Sequence, residues 1–76
     1  MYTLLPGDLA AIEWPSAEIY SHEHGEAFLG VVRQGEYFII ASKRSPFNKI
    51  QIIHSLHGTG WINCSYVRKV QNGDSR

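Results

Sequence analysis

Apolar and polar residues alternate along most of this chain in short runs, and glycine or proline interrupts the pattern every few residues. The interruptions at Pro6-Gly7, Pro15, Gly25, Gly30, Gly35, Pro46, Gly58 and Gly60 leave no interval long enough for a well-formed helix with its connections. Period-two runs between turn residues read as β-strands. Residues 7–13 (GDLAAIE) predict a first strand that opens from a Pro-Gly turn. Residues 14–26 form a long polar excursion containing Pro15, Ser16, Ser21 and His22-Glu23-His24-Gly25-Glu26, which reads as a surface loop or an irregular hairpin.

Residues 27–33 (AFLGVVR) predict the next strand, and Gln34-Gly35 a tight turn in which Gly35 takes positive φ. Residues 36–42 (EYFIIAS) predict another; Tyr37/Ile39 and Phe38/Ile40 are both apolar, so its inward register stays open. A basic loop, 43–48 (KRSPFN), precedes residues 49–55 (KIQIIHS), whose alternation puts Ile50, Ile52 and His54 on one side. Residues 56–59 turn the chain, 60–62 (GWI) give a short strand, and 63–66 (NCSY) a tight turn or one turn of 3-10 helix. Residues 67–70 then close the domain.

The sum is an all-β chain of five or six short antiparallel strands. So few residues bury such strands most economically as a strongly bent sheet rolled into a small barrel, whose closure also hides the strand edges. The expected core is Leu9, Ala11, Leu29, Val31, Phe38, Ile40, Ile50, Ile52, Ile62 and Val67.

A chain of 76 residues allows one domain, placed at 1–70, with the polar stretch 71–76 as a flexible tail. The 43% hydrophobic share excludes wholesale disorder. No apolar run approaches the ~20 residues of a membrane span, and the first residues lack the basic and apolar regions of a signal peptide. Cys64 stands alone and makes no internal disulfide, so a reducing, cytoplasmic setting is expected, and Met1 reads as the start of a complete small protein. The formal charge is zero but split. Residues 1–38 sum to −5, with Asp8, Glu13, Glu18, Glu23, Glu26 and Glu36 against Arg33. Residues 39–76 sum to +5, with Lys43, Arg44, Lys49, Arg68, Lys69 and Arg76 against Asp74. Such a split marks either two opposed faces or strands that pair across the sequence and neutralise each other, the second suiting a compact barrel better.

The stretch Gly60-Trp61-Ile62-Asn63-Cys64-Ser65-Tyr66-Val67 resembles the end of an SH3 domain: a glycine, a strand, a 3-10 turn and a Tyr-Val pair. Together with Gly7-Asp8-Leu9, Gly30-Val31-Val32 and Val67-Arg68-Lys69-Val70, it is similar to the small stand-alone SH3-like barrels of bacteria and bacteriophages. The resemblance covers about residues 6–70. It implies an SH3-like barrel with a long RT-type loop and a 3-10 turn before the last strand. It also implies a binding module in which Tyr66 matches the family's tyrosine and Glu18, Glu23 and Glu26 supply the acidic loop. Asn63 stands where the family has a proline, and Ile50-Gln51-Ile52 replaces its tryptophan pair, so two walls that grip a polyproline helix are missing.

Three side-chain groupings bear on chemistry. The His22 and His24 pair is a weak metal candidate: it matches no established spacing, a solvated polar loop being the plainer reading, and no cofactor is implied. Cys64 with His54 or His57 is a candidate nucleophile–base pair, but a packed free cysteine behaves as a small hydrophobe, and no catalytic constellation is present. We read a non-enzyme. Lys43, Arg44 and Lys49 around Phe47, extended by Arg68 and Lys69, offer an alternative nucleic-acid surface, opposed by a near-neutral isoelectric point. The leading reading is protein–protein contact, self-association included, through Trp14, Tyr20, Glu23, Glu26, Trp61, Asn63 and Tyr66, since Trp and Tyr anchor interfaces.

Overall fold

Alternation of apolar and polar positions sorts the chain into seven strands, all antiparallel. A computed structural model describes residues 3–70. The strands are β1 (Leu9–Ile12), β2 (Ser16–Tyr20), β3 (Phe28–Arg33), β4 (Tyr37–Ile40), β5 (Lys49–His54), β6 (Gly58–Asn63) and β7 (Val67–Lys69). A 3-10 turn, Cys64–Tyr66, links β6 to β7. They form a single sheet in the order β3-β2-β6-β5-β4-β1-β7.

The sheet has seven strands rather than five or six, because the polar excursion contains one. In β2, Ala17 and Ile19 point inward while Ser16 and Glu18 face solvent, so the excursion is a hairpin with β3. The expected closure is also corrected. β3 and β7 stand at the two ends of the sheet and do not pair with each other, so both keep an outer edge.

One cluster gathers the inward residues Ala10, Ile12, Ala17, Ile19, Val32, Phe38, Ile40, Ile50, Ile52 and Ile62. A single sheet supplies all of them, so it curls around its own interior. Isoleucines dominate because β-branched side chains fill a pleated, buried surface at little rotamer cost. The open register in β4 resolves to Phe38 and Ile40 inward, and His54 joins Ile50 and Ile52 as expected, at 4% exposure. Three core expectations fail by one residue. Leu9, Leu29 and Val31 sit on the opposite parity from Ala10, Ile12 and Val32, and a one-residue slip exchanges the two faces of a strand. Ala11 is buried as well, but on the outer face, in register with Tyr37 and Arg68. Val67 packs at the margin of the core. The stretch expected to be a tail, 71–76, lies outside the described residues. No helix among the described residues is long and apolar enough to cross a membrane.

Candidate functional site

β2 and β6 pair at one position, Tyr20 with Trp61, because the strands cross closely there and diverge beyond it. Gly60 permits the crossing: a Cβ at this position would lie 2.6 Å from Ile19 Cγ1 and 2.9 Å from the Tyr20 carbonyl oxygen. Gly60 was expected to begin a strand after a turn. It stands inside β6 instead, which starts at Gly58.

Where β2 parts from β6 a groove of about 400 Å³ opens, lined by Glu18, Tyr20, Lys49, Asn63 and Tyr66, with Ser16 and Ala17 along one wall. Its far wall is held by an amide network. Asn63 caps the 3-10 turn, its Oδ1 accepting the Ser65 N–H at 2.9 Å and the Asn48 side-chain amide at 3.2 Å. The same Asn48 amide donates to Ser65 Oγ at 2.7 Å, and the Asn48 carbonyl accepts the Cys64 N–H at 2.8 Å. Asn48 sits at φ 62°, a left-handed conformation that asparagine tolerates better than most residues. Asn63 Oδ1 is spent on these bonds, and the polar side chain gives the groove no apolar wall at this position.

The aromatic residues expected to meet a partner converge here. Tyr20 and Tyr66 line the groove, and Trp14, 54% exposed, packs edge-on against Tyr66 at 5.7 Å. Trp61 stands beside Tyr20 in register, and Phe28 meets the Tyr20 ring from its other side at 5.7 Å. The Tyr20 hydroxyl donates to Glu18 Oε1, and this carboxylate raises the phenol's pKa above its ordinary value.

The acidic residues at the hairpin tip fall outside the groove lining. Glu26 lies 3.8 Å from His22 Nδ1. Glu23 is half-buried, with one carboxylate oxygen lacking a hydrogen-bond partner among the described residues. His22 also bonds Ser21 Oγ at 2.8 Å, whereas His24 packs its ring on Phe47 at 5.0 Å, so the two imidazoles turn to different partners. Among the described residues no three His, Cys, Asp or Glu side chains are placed to hold a metal ion.

Cys64 does not meet a histidine. His57 precedes β6 and Cys64 follows it, and a six-residue strand separates them by roughly 20 Å. His54 and His57 instead stack on each other at 4.9 Å within the β5–β6 turn. Burial pushes the Cys64 thiol pKa up, and the nearby Arg44 charge opposes that in part.

The four residues of the alternative nucleic-acid surface are divided. Lys43 and Arg44 line a second, larger groove with Arg68 and Lys69. Lys49 lines the first groove, and Phe47 packs with His24. Sequence reasoning overlooked two features. Asn48 has a turn residue's composition but no sign of its role as a clamp. Ile39 and Ile53 face each other across β4 and β5 on the outer side of the sheet, 38% and 48% exposed; the doubly apolar register of β4 was the signal for them. Comparison with family models, curated proteins and solved structures finds no match to this chain.

Proposed function

We propose that the chain is a non-catalytic binding module of the SH3-like kind, acting through protein–protein contact at the groove between β2 and the 3-10 turn. One observation carries the reading. Tyr20, Asn63 and Tyr66, drawn from segments more than 40 residues apart, line one groove, and Trp14 and Trp61 flank it. Half-buried aromatic rings such as Tyr20, Trp61 and Tyr66, already packed on one side, lose little entropy on binding and still offer apolar area to a partner. Two features of the fold support the SH3-like part: the hairpin β2–β3 occupies the place of the long loop, and the 3-10 turn directly precedes the last strand.

The groove suits an extended segment of a partner with apolar side chains over Tyr20 and Tyr66. A basic residue would lie beside Glu18, with Lys49 on the opposite wall disfavouring a second one. Polyproline recognition is not part of the proposal, since Asn63 gives no apolar wall.

The test is capture of partners from a native lysate by the tagged protein and by Trp61→Ala and Tyr66→Ala, each checked for folding by circular dichroism. Loss of the same partner in both variants supports the groove. If both fold and retain every partner, this surface is not the one in use.

A further inference from the structure

We infer that the second groove, bounded by β7, the 43–48 loop and the segment before β1, binds an acidic peptide segment that carries aliphatic side chains. The groove measures about 930 Å³, room for several residues of an extended chain. Its apolar lining comes from Leu4, Leu5 and Val67, with Cys64 alongside. Leu5 is 47% exposed, so apolar surface is left open to solvent. This lining is anchored: the Asp8 carboxylate accepts the Leu5 N–H at 2.8 Å, and the Gly7 N–H donates to the Ile40 carbonyl at 2.7 Å.

Charge identifies the occupant. Lys43 and Arg44 come from one segment and Arg68 and Lys69 from another, and among the described residues Glu13 is the one acidic residue in the lining. Lys69 is already matched by Asp8 at 3.8 Å. Among the described residues no carboxylate lies within ion-pair distance of Lys43, Arg44 or Arg68. Two guanidinium groups without a carboxylate partner among the described residues, beside an aliphatic surface, recognise carboxylates bidentately, while the surface takes a Leu- or Val-like side chain.

The same observations disfavour a single-stranded nucleic acid. Such ligands are held by aromatic rings that stack on bases, and among the described residues no aromatic one lines this groove. Phe47, the exposed ring of the basic loop, is packed with His24 outside it.

Fluorescence anisotropy at low salt tests the inference with four labelled probes: a short peptide of glutamates with interspersed leucines, an all-glutamate peptide, a lysine–leucine peptide and an oligothymidylate. The glutamate–leucine peptide is expected to bind most tightly, and added salt to weaken it. Arg44→Gln and Arg68→Gln each weaken it about tenfold, the low end for a charge-assisted hydrogen bond, while Leu56→Ala, in the exposed β5–β6 turn, leaves it unchanged. The inference is overturned by any of three results. These are no binding at low salt, oligothymidylate or all-glutamate binding as tight as the mixed peptide, or indifference to both arginine substitutions in variants shown to be folded.

Discussion

His54 Nε2 donates a hydrogen bond to Glu36 Oε1 at 3.0 Å and so ties the β5–β6 turn to the turn between β3 and β4. The tautomer is set from the other side of the ring, where Nδ1 accepts the N–H groups of Leu56 and His57 at 3.1 and 3.3 Å. An imidazole that accepts at Nδ1 must carry its proton on Nε2, the atom facing Glu36. Glu36 also accepts the Arg33 N–H at 3.0 Å. One buried ring and one half-exposed carboxylate thereby satisfy backbone groups in two turns. Replacing His54 by Leu keeps the bulk but leaves those partners unpaired, and is expected to cost about 2 kcal/mol in a urea titration. A cost below a few tenths would show that the link contributes nothing.

The same pair predicts a pH dependence. The Arg33 N–H, and more weakly His54, hold the Glu36 carboxyl below its ordinary pKa, against an opposing effect of burial. A carboxyl lowered by folding adds stability above its unfolded pKa and loses it as pH falls through the folded value. The stability gap between the native chain and Glu36→Gln should therefore narrow as pH drops from about 6 to about 3. A gap constant over that range would mean that the carboxylate charge plays no part.

His57 guards an edge. Its Nε2 donates to the Val31 carbonyl at 3.1 Å. The Gln34 N–H to Pro15 carbonyl bond fixes which residues of β3 bond to β2, and it leaves those of Val31 pointing away from the hairpin. Glu36 occupies both backbone groups of Arg33 on the same edge, at 3.0 and 3.1 Å. Gly30 makes room for the ring, since a Cβ there would lie 2.4 Å from His57 Cε1. An uncovered strand edge invites pairing with another chain. His57→Ala should increase light scattering and concentration-dependent association on mild heating, whereas His57→Gln, which can still donate, should do so less. Equal behaviour of both variants and the native chain would remove the guarding role.

Much of this architecture is legible in the sequence. The alternation of Ile50, Ile52 and His54 placed the histidine inside, and Gly60 to Val67 announced a strand followed by a 3-10 turn. What was hidden has physical causes. β2 escaped notice because its inward residues are one alanine and one isoleucine amid polar neighbours, a weak apolar signal that only pairing with β3 makes into a strand. Leu9 looked like core because leucine is large, yet Ala10 and Ile12 share the inward parity with Phe38. Of the residues expected at a partner surface, Tyr20, Asn63 and Tyr66 line the first groove and Trp14 and Trp61 flank it, whereas Glu23 and Glu26 lie outside it and Lys49 enters it unforeseen. Arg68 and Lys69 line one groove with Lys43 and Arg44, the extension the sequence suggested; that Lys49 and Phe47 stand apart from them depends on long-range strand order, which local pattern does not reveal.

Gly60 is expected to be the least tolerant position near the groove. Gly60→Ala forces a Cβ toward Ile19 Cγ1 and the Tyr20 backbone, neither of which is a flexible chain end that can swing aside. Overpacking of this kind costs about 1–3 kcal/mol. Because the clash falls where β2 crosses β6, partner capture should weaken along with stability. A variant as stable as the native chain would show that the crossing is looser than described.

Asn48 separates conformation from contact. Asn48→Gly keeps the positive φ without strain but removes the amide that bonds Asn63 and Ser65. Asn48→Ala removes the amide and adds the left-handed penalty, of order 1 kcal/mol. Alanine should therefore be the more destabilising of the two by about that amount, while both loosen the 3-10 turn beside Tyr66 and weaken partner capture alike. Equal stabilities would mean that the backbone at 48 relaxes out of its left-handed conformation. Capture lost in alanine alone would mean that the conformation, rather than the amide clamp, shapes the groove.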